Sequence, residues 1–460
     1  MGNNPSNKFQ DTTHRHLLSQ GVNRRSSVGV LLLLLCSIQT LSQGDKPLVS
    51  PRLLALQKEL EVGNIAALET FWQEIGKQGA PLIEPIFGDE HYSLITFIWR
   101  AREETKNVGV FSGIAGIALE QNRMTRLRST DLWFRSYRVR NDARFAYKLS
   151  VNDPFDKVNP EGTKAMELRR STFKTDPLNP HGISGASMVE LPDAPPQHWI
   201  TKQADVPTGR IESKKMKSAI LGNERDIGIY TPPSYKASGS PYGLLILFDG
   251  DFYISDIPMP TILDNLLAKK KLPPLVAIVV GNPTDDSRNT ELPCNANFAE
   301  FVSKELMPWV RQHYYVTTDR TRTVIGGASY GGLAATFAAF RHPEIFGNVI
   351  SQSGAYWWKP DFLNPKDDRE YEWLTKQLVA SPKLPIRFYL DIGLMEADPT
   401  GAQGDGPSMV VVNRHLRDVL RAKGYIVHYH EFNGDHTFLN WRGTLPDALL
   451  RLTGNDGKIR

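Results

Sequence analysis

Cysteine is almost missing from this chain. Of 460 residues only Cys36 and Cys294 carry a thiol. Cys36 falls in an apolar N-terminal run, so the rest of the chain has no pair from which to form an intrachain disulfide. Cys294 directly follows Leu292-Pro293 and is expected to be structural rather than nucleophilic. An excess of one charge is lacking too: 54 Lys and Arg face 50 Asp and Glu, a formal net of +4. No basic block is dense enough for a nucleic-acid surface, which excludes that class of partner. Long hydrophobic runs are confined to residues 28–36, too short to cross a bilayer comfortably, so no lasting membrane span is expected. Internal repeats and low-complexity tracts are absent. Apolar residues at 40% and charged residues at 23% are ordinary for a globular protein, which argues against disorder and against a coiled coil.

The short apolar run has informative flanks. A polar stretch over 1–27 ends close to Arg24-Arg25, and the small residues Thr40 and Ser42 follow the run. This is the layout of an export signal with a long leading region. Residues 1–43 are therefore expected to be a signal peptide cleaved near Ser42, and the mature protein to be exported, periplasmic in location.

The remaining length exceeds one typical domain, and the texture changes along it. Leu53, Leu54, Leu56, Leu60, Ile65, Leu68 and Trp72 sit at helical spacing, predicting a helix over 51–76. From Tyr92 short aromatic and β-branched runs take over, at 92–99, 132–139 and 143–149. Several alternate with charge, as half-exposed antiparallel strands do, and a small β-sandwich fits them. Prolines cluster between Asp176 and Pro207, which is linker composition. Beyond Arg210 strands alternate with helices. Strands are predicted at 244–248, 275–280, 323–326, 349–352, 386–391 and 426–432, and helices at 298–312, 333–340 and 410–423. Such alternation implies a mainly parallel sheet covered on both faces. The expected organisation is a helical segment plus sandwich over 44–205 and an α/β domain over 206–460.

The strongest chemical signal is Gly327-Ala328-Ser329-Tyr330-Gly331, a G-x-S-x-G. The β-branched run Arg322-Thr323-Val324-Ile325 precedes it, and the helix formers from Leu333 to Phe340 follow. Strand, tight turn and helix make a nucleophile elbow, in which the turn lifts a serine Oγ above the sheet. In this fold class an acid and then a histidine follow the serine. His436 lies in Asn433-Gly434-Asp435-His436, a turn directly after the last strong strand, and is the expected base. His342, His415, His428 and His430 occupy a helix end, a helix and a strand. The acid belongs in the exit of strand 386–391: Glu396 is the first choice, Asp398 next, and Asp391 third. The backbone N–H groups of Tyr330 and Asp251 are expected to form the oxyanion hole, Asp251 by its place in the strand-exit turn Asp249-Gly250-Asp251-Phe252-Tyr253. The constellation requires no cofactor and no metal.

Several longer strings resemble the enterochelin (enterobactin) esterase family, within the α/β-hydrolases of the esterase D-like group. Asp249-Gly250-Asp251-Phe252-Tyr253 looks like its D-G-[DE]-F-[WY]. Arg288-Asn289-Thr290-Glu291-Leu292-Pro293-Cys294-Asn295 looks like its R-x-x-E-L-P-C-N. Ser351-Gln352-Ser353-Gly354-Ala355-Tyr356-Trp357-Trp358 is similar to S-Q-S-G-S-[YF]-W-W. Gly434-Asp435-His436 with Trp441-Arg442-Gly443 resembles G-G-H-x-x-x-x-W-R-G, Asp435 standing in place of the second glycine. Thr130–Tyr137 and Asp176–Pro180 look like the family's N-terminal domain, an immunoglobulin-like sandwich. The resemblance implies hydrolysis of the ester bonds of a trilactone catecholate siderophore, a small molecule that carries bound iron. In that reading Trp357, Trp358, Trp441 and Phe252 offer surfaces to catechol rings, while Arg288 and Arg442 meet their negative charge. The competing enzyme is a feruloyl or acetyl esterase acting on polysaccharide. A non-catalytic siderophore- or glycan-binding protein is the alternative from another class, and an intact serine, histidine and acid argue against it.

Overall fold

The computed structural model describes residues 50–454 apart from 103, 117–118, 155–167, 361–369 and 401–405, and without the side chains of 119–120. The expected signal segment lies outside the described residues. Among the described residues no helix is long and apolar enough to cross a membrane.

The single helix expected over 51–76 is two, α1 (Pro51–Glu61) and α2 (Ala66–Gln78). Ser50 caps the first by accepting from the Leu53 amide. Gly63, at φ 86°, follows its end in a conformation that side chains resist, and turns the chain. Nine strands follow: β1 (Leu82–Ile86), β2 (Asp89–Arg100), β3 (Val108–Phe111), β4 (Thr125–Arg126), β5 (Leu132–Arg140), β6 (Arg144–Val151), β7 (Phe173–Lys174), β8 (Gly182–Ile183) and β9 (Ala186–Glu190). They form two antiparallel sheets, ordered β1-β2-β5-β4 and β3-β6-β9-β8, with β7 also paired to β6. Ile95 and Phe97 of β2 share a core with Val110, Phe145, Leu149 and Val189 from the second sheet. Ile98, one step along β2, instead sits under the helices with Leu53, Phe71 and Ile75. The period of two thus buries β2 on both faces.

Linker composition misleads over its first half. Asp176 is buried and accepts from the Tyr147 hydroxyl at 2.8 Å, and β9 pairs with β6. The prolines there shape turns inside the sandwich, held by long-range partners that local composition does not reveal.

The second half is an eight-stranded mixed sheet. Its strands are β10 (Arg210–Ser218), β11 (Asn223–Thr231), β12 (Gly243–Phe248), β13 (Leu275–Val280), β14 (Thr323–Ala328), β15 (Asn348–Gln352), β16 (Arg387–Gly393) and β17 (Ile426–Phe432), in the order β10-β11-β13-β12-β14-β15-β16-β17. The six expected strands, β12 to β17, are all present and mutually parallel. β10 and β11 add an antiparallel hairpin that the reading missed. Separate apolar clusters cover the two faces, which is why the central strands read as unbroken apolar runs. Both halves belong to one compact unit. The carboxyl ends of the parallel strands open on one side, where such sheets hold their ligands.

Candidate active site

Ser329 sits between β14 and the helix Tyr330–Arg341 with φ 57° and ψ −120°, a backbone conformation strained for any residue with a Cβ. The glycines around it make room. A Cβ on Gly327 would lie 2.6 Å from the carbonyl carbon of Gly331, and one on Gly332 would lie 2.5 Å from Ser351 Oγ. Strand and helix touch backbone to backbone there, and any side chain would force the elbow apart.

His436 follows β17, and its Nδ1 is 2.6 Å from Glu396 Oε2. Facing a carboxylate, Nδ1 carries the proton and Nε2 is left as an acceptor. The Glu396 side chain is almost fully buried, at 3% exposure. Its Oε1 accepts from Ser353 Oγ at 2.6 Å and from the Gly393 amide at 2.9 Å. Ser353 Oγ in turn accepts from Trp441 Nε1 at 3.0 Å, and the Trp441 ring meets His436 edge-on at 4.8 Å. The carboxylate is thereby fixed from behind by a chain that ends on the imidazole it orients.

Of the three candidate acids, Glu396 is the one bonded to His436. Asp398 lies in the cavity wall, its pKa raised by burial, with no hydrogen bond to the imidazole. Asp391 ends inside β16, fully buried, where its Oδ1 accepts from the Ser353 amide at 3.1 Å. Burial lifts Asp391 to about 7. Because the folded value lies above the unfolded one, its contribution to stability is present at pH 4 and is lost as pH rises through 7. Asp391→Asn should therefore melt at higher temperature than wild type at pH 8 and gain nothing at pH 4, as differential scanning calorimetry would read. An equal gain at both pH values would show that the carboxyl's charge is not the cause.

The loop after β12 carries Asp251, the second amide expected to receive an oxyanion. Asp249 has φ 58°, and a Cβ on Gly250 would come within 2.9 Å of the Val279 carbonyl carbon. Among the described residues the amides of Tyr330 and Asp251 have no protein acceptor, as donors awaiting an oxyanion must. This loop is braced from β13's exit. Arg288 donates through Nε and Nη2 to the two Asp249 oxygens, each at 2.7 Å, and Asn282 Nδ2 donates to Asp249 Oδ1 at 2.6 Å. Three residues on, Glu291 accepts from buried Arg225 at 2.7 Å. The R-x-x-E string is scaffold.

Arg288, expected to meet ligand charge, thus has a protein partner of its own. It lines a cavity, and the Nε and Nη2 edge of its guanidinium is bonded to Asp249. Arg288→Ala should lower turnover of a small neutral nitrophenyl ester about as much as that of a large anionic one, roughly tenfold or more. One charge-assisted pair, and with it the set of the oxyanion loop, is lost. A loss confined to the anionic substrate, measured by steady-state kinetics, would restore the recognition role.

Two cavities of about 710 and 700 Å³ share Ser329 and His436 in their walls. Trp357, Met395 and residues of the sandwich line the first. Asp251, Phe252, Arg288 and Trp441 line the second, where Phe252 stacks on Phe438 at 4.4 Å. Two expected ligand contacts line neither. Trp358 packs perpendicular to Trp373 on the core, 6.0 Å between ring centroids. Arg442 donates through Nε to Gln197 at 2.7 Å, on the side of its helix turned to the segment after the sandwich.

Sequence reasoning also missed how the base is held. Asp435 Oδ2 accepts from the Ala146 amide at 2.9 Å, the Asn433 carbonyl accepts from the Arg144 amide at 3.0 Å, and Asn433 Nδ2 donates to Asp142 at 2.7 Å. The loop bearing His436 is thus pinned to β6 of the sandwich. Burial raises Asp435 to about 6. The one sequence signal was Asp435 standing where the family pattern has glycine.

An elbow serine, a carboxylate-oriented imidazole and two unpartnered amides at the strand ends of a mixed α/β sheet define an ester hydrolase. A family model described as putative esterase matches residues 218–452, and one described as enterochelin esterase, N-terminal, matches 94–200. An iron(III) enterobactin esterase of Dickeya dadantii is 30% identical over 424 residues, covering 85% of this chain and 94% of its own. An iron(III) salmochelin esterase of Escherichia coli is 26% identical, over 87% of this chain and 97% of its own. The crystal structure of an enterobactin esterase from Shigella flexneri, in the presence of enterobactin, superposes with a TM-score of 0.66 at 29% identity, covering 84% of this chain and 97% of that one. This chain belongs to the enterochelin esterase family.

Proposed function

We propose that this protein is a serine esterase that opens the lactone ester bonds of a tris-catecholate siderophore, taken with its iron bound, and so helps release the metal. Ser329 Oγ attacks the ester carbonyl and gives its proton to His436 Nε2, which Glu396 holds in the required tautomer. The Tyr330 and Asp251 amides receive the oxyanion. His436 then passes the proton to the departing serine hydroxyl of the lactone, and water repeats the sequence on the acyl-enzyme. The observation that carries the reading is the His436–Glu396 pair at the junction of two ligand-sized cavities. Its support in substrate comes from relatives that match this chain across both halves. The sandwich is read as an immunoglobulin-like module, and the N-terminal layout favours export to the periplasm. N-terminal sequencing of protein from the native envelope should start shortly after Ser42.

The deciding experiment incubates the protein with ferric enterobactin and with methyl ferulate and follows both by chromatography. Release of dihydroxybenzoyl-serine units with little ferulate cleavage is expected. The reverse preference would replace the siderophore with a polysaccharide ester as substrate.

A further inference from the structure

The two cavities that meet at Ser329 differ in charge, and the difference gives the substrate a direction. On the second side, Asp251 and Asp285 share the wall with a guanidinium already bonded to Asp249. On the first, Lys148 of β6 and Arg170 line the wall, and among the described residues neither has an acidic partner. The carboxylates of that wall are mostly engaged: Glu396 holds His436, and Asp435 accepts from Ala146, Thr437 and Asn440. Asp398 remains, with burial favouring its neutral form. Phe111 and Phe173 lie beside the cations as a pair, their centroids 4.5 Å apart and their planes at 33°, with Trp357 in the same cavity. Unpaired cations next to flat apolar rings suit a ligand that joins anionic oxygens to aromatic rings.

Resting on the siderophore reading above, we propose that the anionic iron–catecholate end of the substrate docks on the sandwich side, against Lys148 and Arg170, with the lactone presented to Ser329. The recognition expected of Arg288 and Arg442 then falls to two residues of the N-terminal half. In sequence, Lys148 is one more charge alternating in a strand, indistinguishable from a solvated face. The sandwich supplies the charge selectivity of the site as well as a wall.

Steady-state kinetics on the full chain test this with three substrates: ferric enterobactin, iron-free enterobactin and nitrophenyl butyrate. KM for the ferric ligand should rise about tenfold in Lys148→Ala and in Arg170→Ala, the change expected when one charge-assisted hydrogen bond is lost. It should rise less for the iron-free ligand and not at all for the butyrate ester, and Lys148→Arg should recover most of the loss. Higher salt should raise the wild-type KM for the ferric ligand and leave the Lys148→Ala value flatter. An unchanged ferric KM in both variants would overturn the proposal, and so would an equal loss on nitrophenyl butyrate, which marks a structural role. If the wild-type chain hydrolysed the butyrate ester but no siderophore, the substrate reading itself would fall, and this docking with it.

Discussion

Ser329→Ala should lower kcat on any ester by several orders of magnitude, on the order of 10⁴–10⁶, while the melting temperature stays near that of wild type. On the proposed mechanism the loss is large because the hydroxyl forms the covalent intermediate, and the elbow offers no other nucleophile. Cys294, the one thiol among the described residues, lies in the string that braces the oxyanion loop rather than at the elbow. Stability is spared for local reasons. Ser329 Oγ makes no hydrogen bond among the described residues, and alanine meets the same backbone strain at φ 57° that serine does. Circular dichroism melts together with turnover assays check both parts. Measurable wild-type turnover in the purified variant would remove Ser329 from its role.

His436→Ala should be as inactive as the serine variant, because residues that act as a unit fail as a unit. Glu396→Gln should retain more, losing on the order of 10³–10⁴. The amide keeps the imidazole in place but turns an Nδ1 acceptor into a donor, so the proton moves to the nitrogen that must accept from Ser329. Asp398→Asn should stay close to wild type, since that carboxylate makes no bond to the base. Turnover assays of the three variants decide the matter, and a greater loss in Asp398→Asn than in Glu396→Gln would reassign the acid.

The parts legible in the sequence were those written in local pattern. Ser329 announced itself through strand, glycines and helix in one unbroken stretch, Arg322 to Phe340. The parallel strands were readable because burial on both faces removes alternation. His436 and Glu396 could be placed by chain order and by the loops after two strong strands. What escaped depends on distant pairs. Arg288 looks like a ligand-binding cation until Asp249, 39 residues earlier, is seen to take both prongs of its fork. Adjacent Trp357 and Trp358 both pack on the core, yet only Trp357 also lines a cavity, which composition cannot separate. The prolines after Asp176 read as linker because the buried Tyr147 hydroxyl that holds that segment lies in another strand. The break at Gly63 is a single residue set among seven well-spaced apolar ones, which read as one helix.

The bond from the Ala146 amide to Asp435 spans 289 residues, and this bears on how the protein matures. Contacts so remote close late, after local elements have formed. A chain synthesised from its N-terminus completes the sandwich long before residues 433–437 exist. The His436 loop, which carries the base in the proposed mechanism, therefore reaches its position only after β17 has been made and has docked. Hydrolytic activity becomes a readout of finished folding, and an incomplete or half-assembled chain that already presents a formed Ser329 elbow stays chemically silent.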